Sequence, residues 1–138
     1  MGNISLSFIN HLALASLRAG GEKEDTMQHK LFTKEIEKRL QEQYKLGNNL
    51  EKQKVICKIF NPYGSWTWYI LNQDKDDTDY LWAIVKGNEV EIGSISKAEL
   101  ENLRIKFGGY GLPLERDSGF RPINAKECYD RLLKGEHI

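Results

Sequence analysis

Glu115, Arg116 and Asp117 stand together in a stretch rich in Gly and Pro. Three charges on such a loop can form a functional constellation, because loops carry a large share of binding and catalytic residues. They can equally be an arginine pinned by its flanking carboxylates. The densest aromatic grouping is Trp66, Trp68 and Tyr69, with Tyr63 and Phe60 close by. Rings on a strand offer a stacking platform for single-stranded nucleic acid or an anchor for a protein interface. A third grouping is basic: Lys34, Lys38 and Arg39 lie on one predicted helix and suit phosphate contacts.

Other chemistries are excluded by what is missing. His11, His29 and His137 are the three histidines, and none falls in the body of the chain. A Ser-His or Cys-His nucleophilic site needs a positioned base. No G-x-S-x-G elbow and no His/Cys run with zinc spacing occurs. The run from Asp74 to Asp79 resembles a calcium loop only superficially. The EF-hand pattern wants Gly at its sixth position and Glu at its twelfth, and Asp79 and Val85 stand there. It is expected to be a solvated acidic loop. Gly108-Gly109-Tyr110-Gly111 lacks the Gly-Lys-Ser/Thr of a phosphate cradle. It is expected to be a helix C-cap and turn. No catalytic residue, metal ligand or cofactor is therefore assigned.

The elements that position these residues follow from periodicity and punctuation. Thr33 is a predicted N-cap for a helix from Lys34 to about Leu46, with Ile36, Leu40 and Tyr44 on its inner stripe. Lys54 to Phe60 is β-branched and apolar, a predicted strand. Asn61-Pro62-Tyr63-Gly64 is a turn, in which Pro presets φ. Ser65 to Leu71 is a second strand, with Trp66, Trp68 and Ile70 on one face and Thr67, Tyr69 and Leu71 on the other. Asn72 to Asp79 is a loop. Tyr80–Val85 and Val90–Ile95 are a third and a fourth strand around a tight Lys86-Gly87-Asn88 turn. Ser96 to Glu99 is a capping box that opens a helix to about Ile105. Leu114 to Arg121 is irregular, and Asn124 caps a last helix over 125–134. The fold class is α+β: a four-stranded antiparallel meander with helices before and after it. The helices are expected to cover one face and leave part of the other open.

The chain has 138 residues, with 20 Lys+Arg against 20 Asp+Glu. One domain is the default at that length. Zero net charge excludes a uniformly basic nucleic-acid binder. The charge is unevenly spread, however. Residues 27–60 hold eight Lys/Arg and four Asp/Glu, whereas residues 72–101 hold three and eight. Cys57 and Cys128 are far apart and read as buried thiols in a reducing cytoplasm. Residues 1–26 carry a short apolar run without a basic leader region, interrupted by polar residues. It is too short to span a bilayer. It is read as an N-terminal helical arm, with the α+β domain occupying 27–138.

From Lys58 to Tyr69 the chain reads Lys-Ile-Phe-Asn-Pro-Tyr-Gly-Ser-Trp-Thr-Trp-Tyr. This motif resembles the bacterial family catalogued as domain of unknown function 2958. Similar stretches run from Lys30 to Glu37, from Gly93 to Glu101, and from Gly111 to Asp117 with Phe120 and Pro122. The resemblance covers about Lys30 to Ile123 and leaves out the final helix. It carries over no activity, cofactor or catalytic residue. It implies an accessory role on a plasmid, phage or conjugative element.

The leading expectation is a small cytoplasmic, non-enzymatic protein that binds a macromolecule, most directly a protein, and that acts as an inhibitor of a host defence system. Its contact residues would be Tyr63, Trp66, Trp68, Glu115, Arg116 and Asp117, without membrane contact. The alternative is a nucleic-acid module using Lys34, Lys38, Arg39 and the aromatic strand. A third reading is an enzyme built on Glu115, Arg116 and Asp117.

Overall fold

The computed structural model describes residues 30–138. The expected arm, with His11, and also His29, lies outside them. Helix α1 spans Lys34–Glu42, and the Thr33 side chain accepts the Ile36 N–H at 3.1 Å as its cap. It ends earlier than expected. The Gln43 N–H bonds back to Leu40 O, and a separate 3₁₀ turn, Tyr44–Leu46, follows. Gly47, at φ 56°, closes that turn in a backbone region that other residues avoid.

The predicted strand 54–60 is two strands. β1 (Lys54–Val55) and β2 (Cys57–Phe60) flank Ile56, whose N–H bonds to Ile70 O. β3 (Thr67–Gln73), β4 (Tyr80–Lys86) and β5 (Val90–Ser96) follow, and β3 begins and ends two residues later than the expected Ser65–Leu71, leaving Trp66 before the strand. The Ser96 cap also holds: its hydroxyl accepts the Glu99 N–H and starts α2, Lys97–Asn102. Beyond α2 the prediction fails. The helix stops at Asn102, and β6 (Arg104–Phe107) pairs antiparallel with β7 (Tyr110–Pro113). Gly108 (φ 59°) and Gly109 (φ 90°) form the hairpin turn, not a helix C-cap. Two consecutive positive φ values suit the twist of a tight hairpin.

The irregular stretch after Leu114 holds β8, Glu115–Arg116, which pairs with β2 through Phe60↔Glu115 and Ile59↔Arg116. The sheet therefore has five strands in the order β5-β4-β3-β2-β8, not four. β9 (Ile123–Asn124) pairs with β1 and leads into α3, Ala125–Leu133, which Asn124 caps by accepting the Glu127 N–H at 3.0 Å.

Both faces of the sheet carry a core, because β3 alternates large side chains to each side. Ile59, Trp68, Ile70, Leu81 and Val85 pack with Leu40 of α1 and Leu100 of α2 on one face. Tyr69, Leu71 and Ile84 pack with Ala125, Cys128 and Leu132 of α3 on the other. Helices thus lie on both faces rather than one. Lys97 of α2 pairs with Glu37 of α1 at 2.5 Å and lies 6.0 Å from the centre of the Phe32 ring, tying the two helices together.

Asn72 and Gln73 are buried strand residues, not the start of the acidic loop. Asn72 Nδ2 donates to Gln53 Oε1 and to Gly47 O, and Gln53 Nε2 donates to Gly47 O and Asn49 O, all at 2.9 Å. Gln73 accepts from Gln41 and donates to Thr78 O. These amides satisfy carbonyls that irregular backbone would otherwise bury unpaired.

Two predictions arise here. A Cβ on Gly87 would overlap the Trp66 ring. Gly87→Ala is expected to destabilise the protein by about 2 kcal/mol through forced repacking, measured by urea unfolding; an unchanged midpoint would contradict the close approach. The second concerns alkaline pH. Burial pushes the Cys57 and Cys128 thiols up to about 12 from 9.0, and the Tyr69 phenol up to about 12 from 10.0. The unfolded chain therefore loses these protons first as pH rises. The stability they contribute is complete below about pH 9 and is lost as pH climbs toward 12. Thermal unfolding should show Tm falling steadily above pH 9; a flat profile would contradict it.

Candidate functional site

On β2, Cys57 and Ile59 point into the first core, so Lys58 and Phe60 point to the opposite face. Lys58 lies across from Tyr69, and Phe60 lies between Thr67 of β3 and Glu115 of β8. Thr67 in turn lies beside Lys86. α3 covers the part of this face around Leu71 and Ile84. The part over β2, β3 and β8 remains a groove of about 610 Å³. Part of this face is thus left open by the helix.

Local hydrogen bonds shape its walls. Asn61 Oδ1 accepts the Tyr63 N–H at 2.8 Å, and Asn61 O accepts from Gly64, holding the turn that closes one end. The Asp117 N–H bonds to Lys58 O, continuing the β8 pairing, and Asp117 Oδ1 accepts the Gly119 N–H. Lys58 Nζ sits 3.9 Å from Asp117 Oδ2. At the other end, Lys58 Nζ donates to Ile138 O at 2.6 Å, and the Tyr69 hydroxyl donates to the same oxygen at 3.4 Å. Burial, with a smaller contribution from the Cys128 thiol, keeps that phenol protonated.

The residues singled out in the sequence scatter over this frame. Glu115 and Asp117 both line the groove. Arg116 lies opposite Ile59, and its guanidinium donates to Lys30 O at 3.2 and 3.3 Å toward the other face. All three residues thus line the groove, but the guanidinium turns from the two carboxylates to Lys30 O. Trp68 is fully buried and offers no surface to a ligand. Trp66 is partly buried, 6.1 Å from Trp68 between ring centres. Tyr63 is exposed at the turn. Lys34 and Lys38 are exposed on α1, and Arg39 is half-buried. The aromatic strand and the basic helix share no stacking platform, because Trp68 is core.

Lys58, Thr67, Lys86, His137 and Ile138 line the groove and were not singled out in the sequence. A usable signal existed for Lys58: a lone lysine inside an apolar strand, paired with a face already carrying Thr67 and Tyr69. Among the described residues, no group of three or more His, Cys, Asp or Glu side chains is placed to hold a metal ion. No helix among them is long and apolar enough to cross a membrane.

The profile of the family described as Protein of unknown function (DUF2958) matches residues 31–132. The chain belongs to that family. The family match runs through nearly all of α3, so the final helix is part of the shared fold rather than outside it. Strands β2, β3 and β8, which floor the groove, also fall within the family region. No curated protein and no solved structure matches the chain.

Proposed function

We propose that this protein works by contact, holding a partner macromolecule in the groove on the open part of its sheet. The observation that carries this reading is the groove itself. It is a concave surface of about 610 Å³, floored by paired strands and lined by Lys58, Lys86, Glu115 and Asp117 around Phe60 and Tyr69. Mixed charge around an aromatic floor suits a polypeptide partner better than a polyanion, because carboxylates repel phosphates. In this reading the protein is a cytoplasmic accessory factor of a bacterial plasmid, phage or conjugative element, and its partner is a component of a host defence system. Two buried free cysteines support a reducing compartment. The domain begins near residue 27.

The test is proximity cross-linking in the host with wild-type protein and with Thr67→Arg, which fills the groove without touching either core. The expected result is one cross-linked protein partner, insensitive to nuclease and lost in Thr67→Arg. A partner retained by that variant would remove the groove from the account. A nuclease-sensitive partner would instead favour contact through Lys34, Lys38 and Arg39. A second reading rests on Glu115 and Asp117 lining one groove with Lys58: carboxylate acid–base chemistry on a bound substrate. Glu115→Gln with Asp117→Asn would abolish such turnover, whereas a groove that only holds a partner would show no turnover to lose.

A further inference from the structure

One wall of the groove is itself an irregular piece of polypeptide, residues 136–138. α3 ends at Leu133, and Gly135, at φ 86°, turns the chain back. The Gly135 N–H bonds to Leu132 O and the Glu136 N–H to Arg131 O, a helix-ending pattern that needs a left-handed residue. Glu136, His137 and Ile138 then run along the groove wall. The oxygen of Ile138 takes the hydrogen bonds of Lys58 and Tyr69. Its side chain packs on the cluster that contains Tyr69, Leu71 and Phe120. Arg131 and Glu136 also pair at 2.7 Å across this stretch, and both are well exposed. Exposed pairs of this kind hold weakly.

We propose that the groove is a seat for an extended polypeptide segment, and that residues 136–138 occupy one end of it as an internal ligand that a partner segment displaces. This deepens the groove reading above and rests on it. The seat recognises two features together: an oxygen acceptor, read by Lys58 and Tyr69, and an adjacent aliphatic side chain, read by the apolar cluster. Both come from one residue of the bound segment. Thr67, Phe60 and Glu115 also line the groove, so an incoming segment has more floor to meet than the oxygen and side chain of Ile138 engage. Edge-wise entry is natural, since the floor is paired backbone and the walls are short turns.

The probe is a fluorescent peptide with the sequence of residues 133–138, titrated into the full chain by polarisation. It is used in free-acid and amide forms, to separate a carboxylate acceptor from a carbonyl one. Ile138→Asp weakens the internal occupant without altering the floor. The expected result is at least about tenfold tighter peptide binding by Ile138→Asp than by wild type. Adding Lys58→Met should return it to the wild-type level or below. A peptide with Ser in place of its Ile should not bind. Arg131→Ala, which removes two exposed ion pairs, with Glu136 and with Glu127, gives the same comparison if circular dichroism shows Ile138→Asp to be unfolded. Equal binding by wild type and both loosened variants, still abolished by Lys58→Met, would overturn the internal ligand and leave the groove reading standing. Binding indifferent to Lys58→Met would overturn both. Concentration-dependent dimerisation of the wild type, lost in Ile138→Asp, would assign the seat to a second copy's segment and overturn the internal occupant.

Discussion

Trp68→Ala should destabilise the protein by about 3–5 kcal/mol, the range seen when a buried tryptophan is truncated in a core that cannot collapse. Trp68 is fully buried at the centre of the sheet, between Ile59 on β2 and Val85 on β4. Its neighbours are strand residues whose backbone positions are fixed by pairing, so the cavity stays open. Trp68→Phe should cost much less. The Trp68 Nε1 has no hydrogen-bond partner among the described residues, so phenylalanine forfeits volume but no bond. Urea unfolding followed by circular dichroism measures both. Equal losses in the two variants would mean that the indole nitrogen is paired after all, and a small loss in Trp68→Ala would place the residue at the surface.

Gln53→Leu is the second large effect. Gln53 is 2% exposed and makes three hydrogen bonds, two donated to Gly47 O and Asn49 O and one accepted from Asn72. At about 1 kcal/mol for each bond, the expected loss is about 3 kcal/mol. The effect should reach beyond stability. Gly47 and Asn49 belong to the connector between α1 and β1, so amide exchange there should accelerate more than in β4. Uniform acceleration across the sheet would show that the connector has no local role.

The same residues explain what the sequence made legible. The α+β class, the antiparallel sheet and three helix caps were readable because alternation, turns and capping side chains are local signals. Thr33, Ser96 and Asn124 each accept the N–H three residues on, as their types suggested. β8 was not readable. Two residues have no period, and Glu115–Arg116 is a strand only because the β2 edge is free to pair with it. The α2 end was misread for a related reason. Leu103 continues the helical stripe and is indeed buried, yet it belongs to an extended link into the β6–β7 hairpin. The site was half legible. Glu115 and Asp117 were visible as charges, whereas Lys58 carried only the fainter signal of a lone lysine inside an apolar strand. His137 and Ile138 come to the groove only through the turn at Gly135.

The break at Ile56 has a wider consequence. One seven-residue run, Lys54–Phe60, sends its first part to β9, at the root of α3, and its second part to the groove floor. The helix that delivers residues 136–138 and the lysine that receives them are therefore mounted on one stretch of backbone. A slip of one residue in β2 would carry Lys58 into the place of Cys57 or Ile59, a charge into a dry interior. The interior thus polices the groove: the seat can be retuned by exchanging side chains, but it cannot drift, because its alignment is enforced from the other side of the sheet.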